Sequence, residues 1–336
     1  MTAQPTVAVI LAAGLGKRMR SELPKVLHEV NGEAMIDHVL RAVGEAGVER
    51  VYVVVGHKGE LVRARVGNRA VCVDQPERLG TGHAVLMAEP HLEGFAGNLL
   101  VTYGDMPLVS GATYRRMVER QAASQAAGVM LSAVFEDATG YGRIVRDERG
   151  EFLRVVEHRD ATETERAINE VNTGVYCFDA RLLFPALHKV GNANDQGEYY
   201  LTDVPEILIG SGQAFEVVVA EDPLETLGVN SRAQLAEVGK HLNQRLLAGL
   251  MEDGVTVTDP STTRIESGCS VERDAVLEPF TILRGITRVS ARAVVGPCTE
   301  LIDASIGEEA VVRQSVVDSA TVDPGEEVGP FDYVCE

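Results

Sequence analysis

The chain has 336 residues, 45% of them hydrophobic and 24% charged, a composition that fits a soluble protein with room for two domains of about 100–200 residues each. Its longest apolar runs, such as 51–55 and 99–101, are far short of the roughly 18–20 residues that cross a bilayer, and no basic stretch leads into an apolar one near the start, so neither a membrane partner nor a secretory signal is expected. Thirty-one basic residues stand against 50 acidic ones, a net charge of −19 that repels nucleic acid, and five cysteines in no CxxC or Cys/His spacing point to a reducing, cytoplasmic setting.

From Thr6 to about Val219, apolar runs of strand character alternate with amphipathic segments, the pattern of a mostly parallel sheet covered on both faces. Val7–Leu11, Val51–Val55 and Leu99–Tyr103 are the clearest strands. Met35, Ile36, Val39, Leu40 and Val43 recur at helical spacing between the first two and complete a βαβ unit. The loop after Leu11 is unusually long, and residues 12–25 hold Lys17, Arg18, Arg20 and Lys25 against one acid, Glu22. Loops at the carboxyl ends of parallel strands are where open α/β sheets place ligands, so this cationic stretch and the Gly104-Asp105 turn belong to one rim. A small anion is the expected guest.

The segment Leu11-Ala12-Ala13-Gly14-Leu15-Gly16-Lys17-Arg18-Met19 offers backbone N–H groups that can approach a phosphate without Cβ interference. It is not a Walker loop, since Leu11 stands where the first glycine belongs and Arg18 where Ser or Thr would meet magnesium. It is not a dinucleotide fingerprint, since Met19 replaces the third glycine. A glycine turn that only reverses the chain remains the alternative. Lys25 follows Pro24, whose fixed φ stiffens the approach, and is a candidate phosphate clamp in a chain with only five lysines. Asp105 suits either a magnesium–nucleotide complex or a hydrogen bond within its own turn. Polar and glycine clusters recur at Gln75, 80–83, 140–143, 157–158, 172–174 and Asn230, and no Ser/His/Asp order, cysteine nucleophile or HExxH motif can be assembled.

Ser231 and Gln234 resemble a capping box, and Leu235, Val238, Leu242 and Leu246 mark one face of a helix to about Leu250. Beyond it Ile265, Val271, Leu277, Leu283, Val289, Val295 and Leu301 fall six apart, and Ile306, Val312, Val317, Val322 and Val328 continue at five or six. A hexad with one aliphatic residue per unit predicts a parallel β-helix whose aliphatics stack inward. Its 17 acids and 6 arginines are read as a solvated outer face.

Leu11 through Met19 with Leu23-Pro24-Lys25, Leu79 through Ala84, Tyr103-Gly104-Asp105, Thr139 through Arg143, Val156-Glu157-His158, Asn172-Thr173-Gly174 and Gly197 through Asp203 resemble, in order, the bacterial N-acetylglucosamine-1-phosphate uridylyltransferases. The resemblance covers about residues 5–330. It implies a Rossmann-like α/β nucleotidyltransferase domain at 1–228, a connecting helix at 229–250 and a shortened left-handed parallel β-helix at 251–336. It also implies transfer of uridylyl from UTP to N-acetylglucosamine 1-phosphate with Mg2+ as cofactor, and a homotrimer through the β-helix.

By position, Leu11, Ala12, Ala13, Gly14, Gln75, Gly80 and Thr81 would bind the nucleotide, with Arg18 and Lys25 as catalytic cations. Tyr103, Gly140, Glu157, Asn172, Tyr199 and Thr202 would line the sugar pocket, and Asp105 and Asn230 would hold the metal. Lys17 stands where the family usually has threonine. The two-function relatives continue into further coils that carry an acetyltransferase site, so acetyl transfer is expected to be absent. A pyrophosphorylase for another hexose 1-phosphate and a non-catalytic, exchange-factor-like subunit are the alternatives.

Overall fold

The structure, a computed structural model, describes residues 4–335. The chain divides into two compact units. The first runs from the N-terminal stretch to His28 and resumes at Met35–Gln234; the second takes Glu29–Ala34 and everything from Leu235 onward.

The first unit is built on a nine-stranded sheet. Its continuous path runs Phe215–Val219, Gly128–Val134, Glu170–Asp179, Asn98–Tyr103, Thr6–Ala12, Arg50–Val55, Val71–Asp74. Glu170–Asp179 pairs antiparallel with both neighbours, and the other pairings on this path are parallel. Thr6–Ala12 is buried along its whole length because it lies between Arg50–Val55 and Asn98–Tyr103 with both faces covered, which is why it reads as an unbroken apolar run. The helix Met35–Glu45 buries Met35, Ile36, Val39, Leu40 and Val43 at the predicted spacing. Its Asp37 is also buried, and Arg65 and Arg69 each hold one of its oxygens at 2.6 Å, so the carboxylate enters the interior as a paired charge.

The strands Thr6–Ala12, Arg50–Val55 and Asn98–Tyr103 all end at one rim, and the long loop predicted after Leu11 leaves from it. That loop has two short 3-10 turns, Lys17–Met19 and Lys25–Leu27.

In the second unit the chain coils through three parallel sheets of short strands, five, five and four in number. Arg264 pairs with Ile282, eighteen positions on, which is three hexads to a coil. Ile265, Leu277, Leu283, Val289, Val295, Leu301, Ile306, Val312, Val317, Val322 and Val328 stack as its buried core, while Val271 is only partly covered. The helix Arg232–Glu252 adds Leu247 to this core, and its buried Asn243 donates to the Thr263 carbonyl and accepts from the Ile265 N–H, both at 2.9 Å. The hairpin at Glu29–Ala34 joins the same unit, where the Asn31 carbonyl accepts from Ser267 N–H at 3.0 Å.

Among the described residues, no helix is long and apolar enough to cross a membrane.

Candidate active site

The rim of the first unit opens into a cavity of about 440 Å³, lined in part by Leu11, Ala12, Ala13, Gly14, Lys25, Gln75, Gly80, Thr81, Tyr103 and Asp105. These ten come from four separate stretches of sequence. Lys25 stands on the turn after Pro24, with its side chain only 15% exposed, and its ammonium bonds the Asp105 carboxylate. The same Nζ donates to Asn230 Oδ1 at 3.0 Å. The backbone explains the meeting: the Asp105 carbonyl accepts from Val229 N–H at 2.9 Å, which brings the chain of Asn230 alongside the end of the strand Asn98–Tyr103.

The capping box departs from expectation here. Ser231 Oγ accepts from Gln234 N–H at 3.3 Å as predicted, but Gln234 Oε1 reaches back to Asn230 N–H at 2.8 Å. The helix start therefore also fixes Asn230.

Arg232, in the first turn of that helix, donates to the Met19 carbonyl at 3.3 Å and meets His28 Nδ1 at 3.2 Å, tying together the loop either side of Lys25. Burial, then the neighbouring guanidinium, lowers the His28 pKa and favours the neutral ring that can accept this bond.

The opposite wall depends on two glycines. Gly80 has φ +108, and a Cβ there would lie 2.5 Å from the Tyr199 carbonyl oxygen; Gly174 has φ +86, and its Cβ would lie 2.3 Å from the Tyr103 ring. Only glycine satisfies both the backbone angle and the close approach. The Tyr199 backbone pairs with this wall, its N–H on the Leu79 carbonyl at 2.7 Å and its carbonyl on Gly82 N–H at 2.8 Å, while Thr81 Oγ1 accepts from Leu201 N–H at 3.0 Å. Gln75, almost fully buried, donates through Nε2 to the Gly80 carbonyl at 3.1 Å and meets His83 Nδ1 at 3.0 Å.

A family model for MobA-like NTP transferase domains matches residues 8–203. The bifunctional protein GlmU of Brevibacillus brevis is 46% identical over 327 residues, 97% of this chain and 71% of that protein. Proteins of the same name from Pelotomaculum thermopropionicum and Acetivibrio thermocellus are 45% and 42% identical, covering 97% and 98% of this chain and 72% and 71% of their own. The chain belongs to the bacterial N-acetylglucosamine-1-phosphate uridylyltransferase family.

It is a sugar-1-phosphate nucleotidyltransferase, with a Rossmann-like transferase domain and a left-handed parallel β-helix. Nucleotidyltransferases of this type use a divalent metal, and the donor set fits one. One carboxylate and one amide carbonyl already converge on a single cation, the Lys25 ammonium, and hard ions such as Mg2+ take few protein oxygens and complete their shell with phosphate and water.

Of the residues that the family resemblance implies for the sugar, Gly140, Glu157, Asn172 and Thr202 lie outside the lining of this cavity. Glu157 Oε1 accepts from Thr202 Oγ1 at 3.2 Å, and burial raises the Glu157 pKa, with the Thr202 hydrogen bond opposing it. Asn172 Oδ1 accepts from Gly174 N–H at 3.0 Å, and Asn172 N–H donates to the Gly142 carbonyl at 2.9 Å, so Asn172 stitches the 140–143 turn to the strand behind Tyr103. Gly140 is exposed at the tip of that turn with φ +87. Beneath it Arg143 is fully buried and donates to the Tyr141 carbonyl and, at 3.3 Å, to that of Arg166.

Three more expected residues lie outside the lining of the cavity. Arg18 is exposed on the Lys17–Met19 turn and lines no cavity described here. Tyr199 is half-buried with its ring against the core, and it is Glu198 that lines the cavity. Asn230 reaches the site through Lys25. Arg78 and Glu198 also line the cavity; the sequence assigns no role to either, although Glu198 falls within the 197–203 block. Arg78 lies between two segments singled out for other reasons, and that bracketing was the available signal.

Proposed function

We propose that this chain transfers uridylyl from UTP to N-acetylglucosamine 1-phosphate in the cytoplasm, with Mg2+ as the metal. The observation that carries the reading is the Lys25 ammonium bracketed by Asp105 and Asn230 at the edge of the cavity walled by 11–14, Gln75 and 80–81. A phosphate oxygen of the sugar phosphate attacks the α-phosphorus of UTP. The new P–O bond forms as the bond to the β-phosphate oxygen breaks, and that electron pair leaves with pyrophosphate. The nucleophile is an anion near neutral pH, so no general base is needed, and alignment and charge neutralisation supply the rate.

Leu11, Ala12, Ala13 and Gly14 form the wall against the nucleoside. Gln75, with Nε2 engaged by Gly80, presents Oε1 to the N3–H of uracil, an edge that cytosine lacks. Gly80 and Thr81 close the other side of the base. Lys25 exchanges its carboxylate partner for the α-phosphate, and Arg18 meets the triphosphate from the exposed turn. Asp105 and Asn230 hold Mg2+, which supplies positive charge to the reacting phosphates. Tyr103, Gly140, Glu157, Asn172, Tyr199 and Thr202 receive the sugar and its N-acetyl group.

Association as a homotrimer through the β-helix is part of the same reading, supported by Phe280, Ile286, Phe331 and Tyr333, which are large, apolar or aromatic and exposed; light scattering reads it directly.

The deciding experiment measures pyrophosphate release from UTP and CTP with a panel of sugar 1-phosphates, with and without Mg2+. Release confined to UTP, N-acetylglucosamine 1-phosphate and added metal is the expected result. Equal rates with glucose 1-phosphate, or no release with any sugar, overturns it.

A further inference from the structure

Arg143 opens the strand Arg143–Arg146 and is only 2% exposed. Its hydrogen bonds go to two backbone carbonyls, those of Tyr141 and, at 3.3 Å, Arg166, and its Nε has no partner among the described residues. Burying a guanidinium on carbonyls alone is costly, and an apolar side chain of similar volume would fill the same space at lower cost. What the apolar side chain would lack is the planar fork, which fixes two acceptors at once.

We propose that Arg143 is a positioning residue for the sugar 1-phosphate: its fork fixes the spacing of the three segments that carry Gly140, Glu157 and Asn172, and through them sets the affinity for the sugar. The inference rests on the uridylyl-transfer reading and deepens it, because it names what holds the sugar side of that site in shape.

The three segments converge on this one residue. Arg143 pairs with Val156, next to Glu157, and with Val171, next to Asn172. Gly140 lies three positions before it, and the Tyr141 carbonyl that Arg143 holds belongs to the same turn. Gly142 gives its carbonyl to Asn172 N–H at 2.9 Å, and a Cβ there would lie 2.9 Å from Val155 Cγ1 and 3.5 Å from Glu157 Oε1, so the turn already touches the strand that leads to Glu157. The second carbonyl extends the reach. Arg166 ends the short helix Glu163–Arg166, and its own guanidinium donates to the His158 carbonyl at 3.3 Å and to that of Arg159 at 3.5 Å. A relay therefore runs from Arg143 through Arg166 to the residue after Glu157, whose carboxylate Thr202 holds. None of residues 140–143, 157–159 or 166 lines the nucleotide cavity, so loosening the relay falls on the sugar.

The test compares the whole chain with Arg143→Lys, which keeps the charge and loses the fork, and Arg143→Met, which keeps most of the volume. Both are expected to raise the KM for N-acetylglucosamine 1-phosphate by about tenfold or more and to leave the KM for UTP within about twofold of the parent. Discrimination against glucose 1-phosphate is expected to narrow in the same variants. Full rescue by Arg143→Lys overturns the proposal, because charge rather than the fork would then be acting. So does an equal rise in both KM values, or an unchanged sugar KM in a variant that melts like the parent. Where neither variant folds, Arg166→Gln decides, since that side chain is exposed: a sugar KM raised about threefold with UTP unaffected supports the relay, and an unchanged one overturns it. Calorimetric titration with UDP-N-acetylglucosamine and with UDP needs no turnover. If the parent shows no uridylyl transfer but the variants lose affinity for the UDP-sugar alone, the proposed function fails and the role of Arg143 stands; equal losses for both ligands overturn that role.

Discussion

The two units organise distance along the chain in opposite ways. In the first, Lys25 meets Asp105 across 80 positions and Asn230 across 205, and nothing between those residues makes the contact locally necessary. In the second, Arg264 pairs with Ile282 and Val276 with Val294, each eighteen positions on, and every coil rests on its neighbours. The first arrangement assembles chemistry from scattered pieces, and a change to one piece disables the reaction while the sheet persists. The second spreads stability over near-identical steps, and a change removes packing energy without touching the chemistry.

Lys25→Ala tests the first half of that contrast and carries the largest expected effect. Removing a cation that faces developing negative charge should lower kcat by about 10²–10³-fold. The side chain lines the cavity and belongs to no hydrophobic cluster, so the fold should persist, at a lower melting temperature because the largely buried Asp105 carboxylate loses its partner. Retention of kcat near the parent value, measured by pyrophosphate release, would break the assignment.

Leu301→Ala tests the other half. Leu301 is fully buried in the β-helix stack, and its truncation should cost about 2–5 kcal/mol in urea denaturation. Specific activity per folded molecule at low temperature should remain that of the parent. A loss of kcat comparable to that of Lys25→Ala would erase the distinction between the units.

The same contrast governs how much could be read from the chain alone. The β-helix announces itself because one inward aliphatic per hexad is a local, repeated requirement, and its irregularities are encoded too. The interval from Leu301 to Ile306 shrinks to five, and nearby coils shorten, with Arg288 pairing with Ser305 and Glu300 with Val316. In the first unit, the glycine loop, Lys25 and Asp105 carried local chemical signals: a turn after a buried strand, a stiffening proline, a carboxylate at a strand end. Asn230, Gln75 and the residues named for the sugar did not, and they were named through family resemblance. Arg78 and Glu198 escaped because a charged residue in a loop is ordinarily solvated. The Glu29–Ala34 excursion escaped because its partner, Ser267, lies far away in sequence.

Asp105→Asn sharpens the picture of two oxygens sharing one cation. The amide keeps an oxygen but loses the charge, so the Mg2+ concentration for half-maximal rate should rise by about tenfold. An unchanged metal titration would remove Asp105 from the metal site. The ion pair with Lys25 would then be its main role.

The smallest expected effect concerns Asp203, which follows Thr202 on the side of the first unit opposite in chemistry to the cationic loop. Burial, then Glu206 and Asp160, pushes its pKa from 3.8 up to about 6. A carboxyl whose pKa is raised on folding binds its proton more tightly in the native state. Its contribution to stability is therefore full below the unfolded value of 3.8 and is lost as pH rises through about 6. Asp203→Asn cannot ionise and escapes that loss. The variant should match the parent near pH 4 and exceed it above pH 7 by no more than about 1 kcal/mol, because Asp203 is partly exposed and solvent screens the charge. Glu157, also raised by burial, keeps part of the slope in the variant. Denaturation midpoints across this pH range read the difference. A gap that is constant with pH, or one that grows toward acid, would show that the carboxylate is stabilised where it sits and that the acidic neighbours do not act on it.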